Sequence, residues 1–212
     1  MAHSEFDLLS LYIFLSRTSN NLTGQNGKMR ILRWSELKAV PWKNGHGITR
    51  ELAKETNAAS FSWRLSIADV AGDGPFSRFD GMRRILTVVE GKGMELIGLN
   101  GTLQADVGVP VEFDGTLDIT SRLKDGPLRD LNLIFDPQFC GGQVSALMEG
   151  ESLSLHSRSG RVLALHCMEG SVELMGYGQL QKGDTAIFEQ GTSAVRINAA
   201  SQALLVTIDR LD

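Results

Sequence analysis

Polar residues recur at alternate positions of otherwise apolar segments. Thr49 and Glu51 alternate within 47–52, Arg64 and Ser66 fall between Trp63, Leu65 and Ile67, and Asp130 and Asn132 alternate with Leu131 and Leu133. Arg84 directly precedes the segment 85–89. Alternate side chains of a β-strand share one face, so each pair points the same way. Inside a small barrel such groups are costly unless they are paired or open onto a wet pocket. Spacing alone also allows a solvent-facing Arg64, or a structural ion pair between Glu51 and Arg64. If the residues line a pocket, its chemistry is legible. An arginine offers a planar fork matched to a carboxylate, so Arg64 and Arg84 suggest an anionic ligand. Glu51 can accept an N–H, and Trp42 or Trp63 can wall a conjugated ring. Asn44-Gly45 is a strong turn dipeptide that either tops a hairpin or lines the pocket mouth. Asp130 and Asn132 either bond that loop or reach the ligand.

Strands must carry these residues. The segment 61–67 alternates apolar and polar residues, the pattern of a half-buried strand. Val-Glu-Gly-Lys-Gly-Met-Glu-Leu-Ile-Gly at 89–98 returns, one residue shorter, as Met-Glu-Gly-Ser-Val-Glu-Leu-Met-Gly at 168–176. Each copy leads into Gly-x-Leu-Gln, at 101–104 and at 178–181. Two copies of one strand–turn–strand unit predict a pair of similar domains, because solenoids need at least about three repeats. Past Met29 helical periodicity is missing apart from a turn at 35–38. Many short strands between Gly turns predict an all-β fold, a sandwich, barrel or jelly roll.

Residues 1–28 read differently. Their apolar block at 8–15 is too short to span a bilayer, and acidic Glu5 and Asp7 do not suit a secretory signal. A loosely attached leader, or a start placed too early, is expected there, with the functional domain opening at Met29. The chain has 21 Lys plus Arg against 25 Asp plus Glu, a net charge of −4, and no basic stripe. Nucleic acid is therefore not an expected partner. Cys140 and Cys167 form neither a disulfide framework nor a zinc knuckle. No apolar run approaches the roughly 20 residues of a membrane span. A cytoplasmic protein is expected.

These motifs place the chain in recognisable company. A Glu-Gly hairpin followed by Leu-x-x-Gly-Asp-x-x-x-Phe resembles the cupin barrel, and its duplication resembles a bicupin. From about Met29 onward the chain is similar to the HutD/Ves family. The carrying blocks are Trp-Lys-Asn-Gly-His-Gly-Ile-Thr-Arg-Glu at 42–51, Trp-Arg-Leu-Ser-Ile-Ala at 63–68, Gly-Pro-Phe-Ser-Arg-Phe-Asp-Gly-Met-Arg-Arg at 74–84, and Asp-Leu-Asn at 130–132. Asp80 stands where the family commonly has Pro, and Leu133-Ile134 where it commonly has Met. The resemblance implies two tandem jelly-roll domains, at 29–136 and 137–212, with the pocket in the first. Members are encoded with histidine-utilisation enzymes. The resemblance thus implies restraint of that pathway by binding an intermediate such as urocanate or formylglutamate, whereas Ves has no assigned chemistry. It also favours the pocket reading, since the candidate positions fall inside its blocks.

Cupin metalloenzymes present His-x-His with a carboxylate and a later His. The four histidines here, His3, His46, His156 and His166, include no such pair, and Arg83 and Arg84 stand where ligands would be expected. No metal, other cofactor or catalytic residue is expected. The leading expectation is a non-catalytic protein binding a small anionic metabolite, its second barrel a scaffold or the surface of a homodimer. A metal-independent isomerase or hydrolase with Glu51 as base is the alternative, and a purely structural interaction protein is a third reading.

Overall fold

The computed structural model describes residues 20–24, 27–43, 45–56, 61–99 and 101–211. Among them the one helical element is a 3-10 turn, Trp34–Glu36, near the turn expected at 35–38. Everything else regular is antiparallel strand, apart from an isolated parallel bridge between Val88 and Val107.

The first barrel is made of two sheets. Six strands run in the order β10 (Val111–Asp114), β7 (Arg83–Glu90), β12 (Leu128–Phe135), β5 (Phe61–Val70), β4 (Gly47–Thr56) and β3 (Val40–Pro41). Four more run in the order β6 (Gly74–Pro75), β11 (Thr120–Leu123), β8 (Met94–Gly98) and β9 (Gly101–Ala105). Ala68, Val70, Leu86 and Val88 from the larger sheet meet Met94, Leu96 and Ala105 from the smaller one.

A nine-stranded sheet forms the second barrel: β1 (Asn20–Gly24), β2 (Gly27–Leu32), β13 (Cys140–Met148), β14 (Ser152–Ser157), β15 (Arg161–Glu169), β16 (Ser171–Leu174), β17 (Gly178–Gln181), β18 (Thr185–Ile197) and β19 (Gln202–Arg210). The long strand β18 pairs with β15 and β2 along its first half and with β14 and β16 along its second. The two repeat copies occupy matching places, at the β7–β8 and β15–β16 turns. The glycine of each Glu-Gly pair turns there at positive φ, 108° at Gly91 and 68° at Gly170. A Cβ at Gly91 would lie 2.7 Å from the Leu128 Cβ, so this close approach admits only glycine.

Sheet pairing departs from the expected division in one respect. Gly27–Leu32 hydrogen-bonds to β18, so this strand, part of it read as leader and part as first domain, completes the second barrel. Met29 and Ile31 enter that barrel's core. Of the leader, residues 1–19, 25 and 26 lie outside the described residues.

The outer face of the six-stranded sheet is apolar too. Trp63, Leu65, Ile67, Leu131, Leu133 and Phe135 pack against Val144, Ala164, Ile187, Leu204, Val206 and Ile208 of the second barrel. Burial on both faces explains why β7 and β12 read as near-continuous apolar runs.

Candidate functional site

The strand register lays the candidate residues in rows across the inner face of the first barrel. One row runs Lys54, Arg64, Ile134, Arg84 and Phe113 across β4, β5, β12, β7 and β10. The next holds Glu51, Ser66, Asn132, Leu86 and Val111, and a third holds Thr49, Ala68, Asp130 and Val88. Neighbouring strands lie about 4.8 Å apart, so these rows form one continuous patch.

Two guanidinium groups dominate it. Arg84 is 7% exposed, and its Nε donates to the Asn132 Oδ1 at 2.8 Å. The Asn132 amide in turn donates to the Asp130 Oδ1. Aromatic rings cover both cations. The Arg84 Cζ lies 4.5 Å from the Phe76 ring centroid and 5.5 Å from that of Phe113. The Arg64 Cζ lies 5.4 Å from Phe61 and 5.2 Å from Phe79. Such placement favours a cation electrostatically while keeping water away.

Desolvation leaves its mark on Arg84, Arg64 and Asp130. Burial lowers the Arg84 pKa to about 10, with Asp130 opposing the shift and Arg64 adding to it. Burial likewise lowers Arg64, which the Glu51 charge partly restores. Asp130 is pushed up to about 7 by burial, against the pull of Arg84 and of the Asn132 hydrogen bond. The Arg64 Nε and the Asp130 Oδ2 are buried without a hydrogen-bond partner among the described residues. The open Arg64 N–H is a donor that an acceptor oxygen entering the barrel would satisfy.

Geometry separates the sequence candidates. Glu51, Arg64, Ser66, Arg84, Asp130 and Asn132 come together, and Thr49 joins them at one edge. The Thr49 hydroxyl is engaged, accepting from the Trp42 Nε1 at 2.7 Å. Trp42 sits at the Gly47 end of the barrel, where a Cβ on Gly47 would come within 2.7 Å of its ring. That places it at the Thr49 edge of the patch, rows away from Arg64. Trp63, expected as an alternative pocket wall, is corrected. It points from the opposite face of β5 into the inter-barrel core, its Nε1 donating to Glu55 at 3.1 Å. Asn44 lies outside the described residues.

Lys54 was missed in the sequence because strict alternation from Glu51 gives its face to Ala53 and Glu55. A bulge between Glu51 and Ala53 shifts the register, so Lys54 pairs with Arg64 and its Nζ lies 3.2 Å from the Glu51 Oε1. Phe76 and Phe79 were quoted only as parts of a motif. Their separation by two residues from one loop now reads as cover for two cations.

The barrel interior does not fit a divalent metal. Cations converge there, and among the described residues no three of His, Cys, Asp and Glu gather as ligands.

Two jelly-roll barrels in tandem, with a polar patch inside the first, define a bicupin. The HutD family profile matches residues 34–206, and the chain belongs to that family. It is 38% identical over 116 residues to an uncharacterised 21.2 kDa protein in the hutC 3′ region of Pseudomonas putida, covering 52% of this chain and 60% of that protein. It is 34% identical over 119 residues to protein Ves of Citrobacter koseri, covering 53% of this chain and 62% of Ves. The match thus spans about three-fifths of the length of these relatives. Among solved structures, HutD from Pseudomonas fluorescens SBW25 superposes with a TM-score of 0.76 at 26% identity, over 87% of this chain and all of that one. A conserved protein of unknown function from Pseudomonas aeruginosa PAO1 gives a TM-score of 0.74 at 34% identity with the same coverage. The Escherichia coli pirin solved with nickel(II) shares the fold alone, with a TM-score of 0.61 at 12% identity over 86% of this chain and all of the pirin.

Proposed function

We propose that the first barrel binds a small anionic metabolite of histidine breakdown, such as urocanate or formylglutamate, and that binding lets the protein sense or restrain histidine utilisation. The observation that carries this reading is the convergence of Arg64 and Arg84, two desolvated cations on one interior face, with the Arg64 Nε left unpartnered among the described residues. A ligand carboxylate relieves their mutual repulsion, and an N–H of the same ligand bonds Glu51. The relative in the hutC 3′ region supports the metabolic context.

Calorimetric titration of urocanate and formylglutamate tests it. Arg64→Met should lose about 2–5 kcal/mol of affinity, much of it from the unpaired ligand charge, while Glu51→Gln should be milder. Equal affinity in all three proteins would remove the pocket from consideration. A metal-independent enzyme is the second reading, favoured by a buried Asp130 that titrates near neutrality, where a general acid or base works best. Following each ligand for turnover separates the two. An enzyme would show turnover that falls roughly 100- to 10,000-fold on replacing its base, Glu51 or Asp130, by the amide.

A further inference from the structure

The repeat builds a second concavity, away from the barrel interior. Val89 and Glu90 of the first copy match Met168 and Glu169 of the second, and these positions meet at a cleft between the barrels. A cavity of about 260 Å³ opens there, lined among others by Trp34, Glu90, Arg129, His166, Met168 and Lys182. That is slightly under the roughly 300–1,000 Å³ of drug-sized pockets and suits a small metabolite.

Both barrels hold its walls rigidly. The Asp184 carboxylate anchors one side by accepting from the Trp34 backbone N–H at 2.9 Å and from Arg33 at 2.6 Å. From the first barrel, the Arg50 and Arg129 guanidinium carbons lie 4.3 and 4.0 Å from the indole centroid. The Arg129 Nε is held by Asp69 at 2.7 Å, which leaves its terminal nitrogens aimed outward. There a carboxylate is already bound. Glu90 receives the Arg129 Nη1 at 2.6 Å and lies 3.6 Å from the Lys182 Nζ, which itself donates to Glu169 at 2.8 Å. The side chains of Glu90 and Lys182 are nearly half exposed, so this arrangement is weakly held and can be exchanged. His166, 2% exposed, bonds Thr185 through Nδ1 at 2.9 Å, and its Nε2 has no partner among the described residues. Burial, reinforced by Arg129, lowers its pKa to about 4, so the ring is neutral near pH 7 and offers one hydrogen bond.

We infer that this cleft is a second small-molecule site, taking a monocarboxylate with a small flat body. Arg129 and Lys182 hold the carboxylate in place of Glu90, Trp34 and Met168 flank the body, and His166 supplies a hydrogen bond. The site is independent of the first barrel's ligand.

Benzoate, with benzamide as its uncharged counterpart, tests the inference in the full chain carrying Arg64→Met to weaken the barrel site. Labelling with 5-fluorotryptophan gives one ¹⁹F resonance for each of Trp34, Trp42 and Trp63, and only Trp34 lines the cleft. Benzoate up to about 10 mM should shift the Trp34 resonance saturably, and benzamide should shift it far less. Lys182→Met should weaken benzoate about fivefold, whereas Glu90→Gln should tighten it about two- to fivefold by removing the competing carboxylate. A Trp34 resonance that does not move, benzamide binding as well as benzoate, or affinities unchanged by both substitutions would overturn the proposal.

Discussion

Asp130 holds its proton in the folded chain up to about pH 7, whereas an unfolded aspartate ionises near 4. Between those values the unfolded state binds fewer protons, so this group's contribution to stability is full below about 4 and is lost as pH rises through about 7. His166 runs the other way. Its folded pKa is about 4 against an ordinary value of 6.5, so its contribution is present above 6.5 and lost as pH falls through about 4. The two slopes oppose each other between pH 4 and 6.5. Asp130→Asn removes one of them, and the variant should gain on wild type by on the order of 3–4 kcal/mol from pH 4 to 8 in urea melts. Parallel stability profiles would show that Asp130 ionises freely. The proposed anion binding should follow the same proton. As Asp130 ionises beside Arg84 it adds a negative charge to the site, so wild-type affinity should fall as pH rises through about 7. The Asp130→Asn profile should be flat there.

At the scale of the element, two local events decide what each strand presents. The bulge at Leu52 sends both Leu52 and Ala53 into the inter-barrel core and brings Lys54 round to Arg64. The strand Gly27–Leu32 crosses from the first half of the sequence to close the second barrel. Ile31 is 5% exposed and packs in that barrel's core. Ile31→Ala should therefore cost about 2–5 kcal/mol, read as a lowered denaturant midpoint, although the residue lies near the chain start. A loss below about 0.5 kcal/mol would mean that β2 is dispensable to the barrel.

At the scale of the molecule, the third core between the barrels should make two similar domains one cooperative unit. A fragment of residues 33–136 would expose Trp63, Leu65, Ile67, Leu131, Leu133 and Phe135 to water. At about 25 cal/mol per Å² of apolar surface, that exposure removes much of what holds a small domain together. The whole chain should melt in one transition, while the fragment should bind hydrophobic dye and lack a cooperative one. Independent cooperative unfolding of the fragment would show that the barrels merely touch.

Much of this was legible in the residues themselves, because local physics acts over a few neighbours. Period-two alternation marked the strand through Trp63 and Ile67 and placed Arg64 and Ser66 on one face. The Glu-Gly repeat announced two copies of one unit, since its glycines meet steric demands no other residue satisfies. Arginines beside apolar segments pointed to an anion. Tertiary structure decided the rest. Alternation says that two faces exist, not which one looks into a barrel, so Trp63 was as good a candidate as Trp42 until the sheet was packed on both sides. A bulge is a property of a strand pair, and Lys54 joined the site only through its partner strand. The cleft at Trp34, Arg129, His166 and Lys182 gathers residues from both halves of the sequence, and only the docking of one barrel on the other brings them within reach.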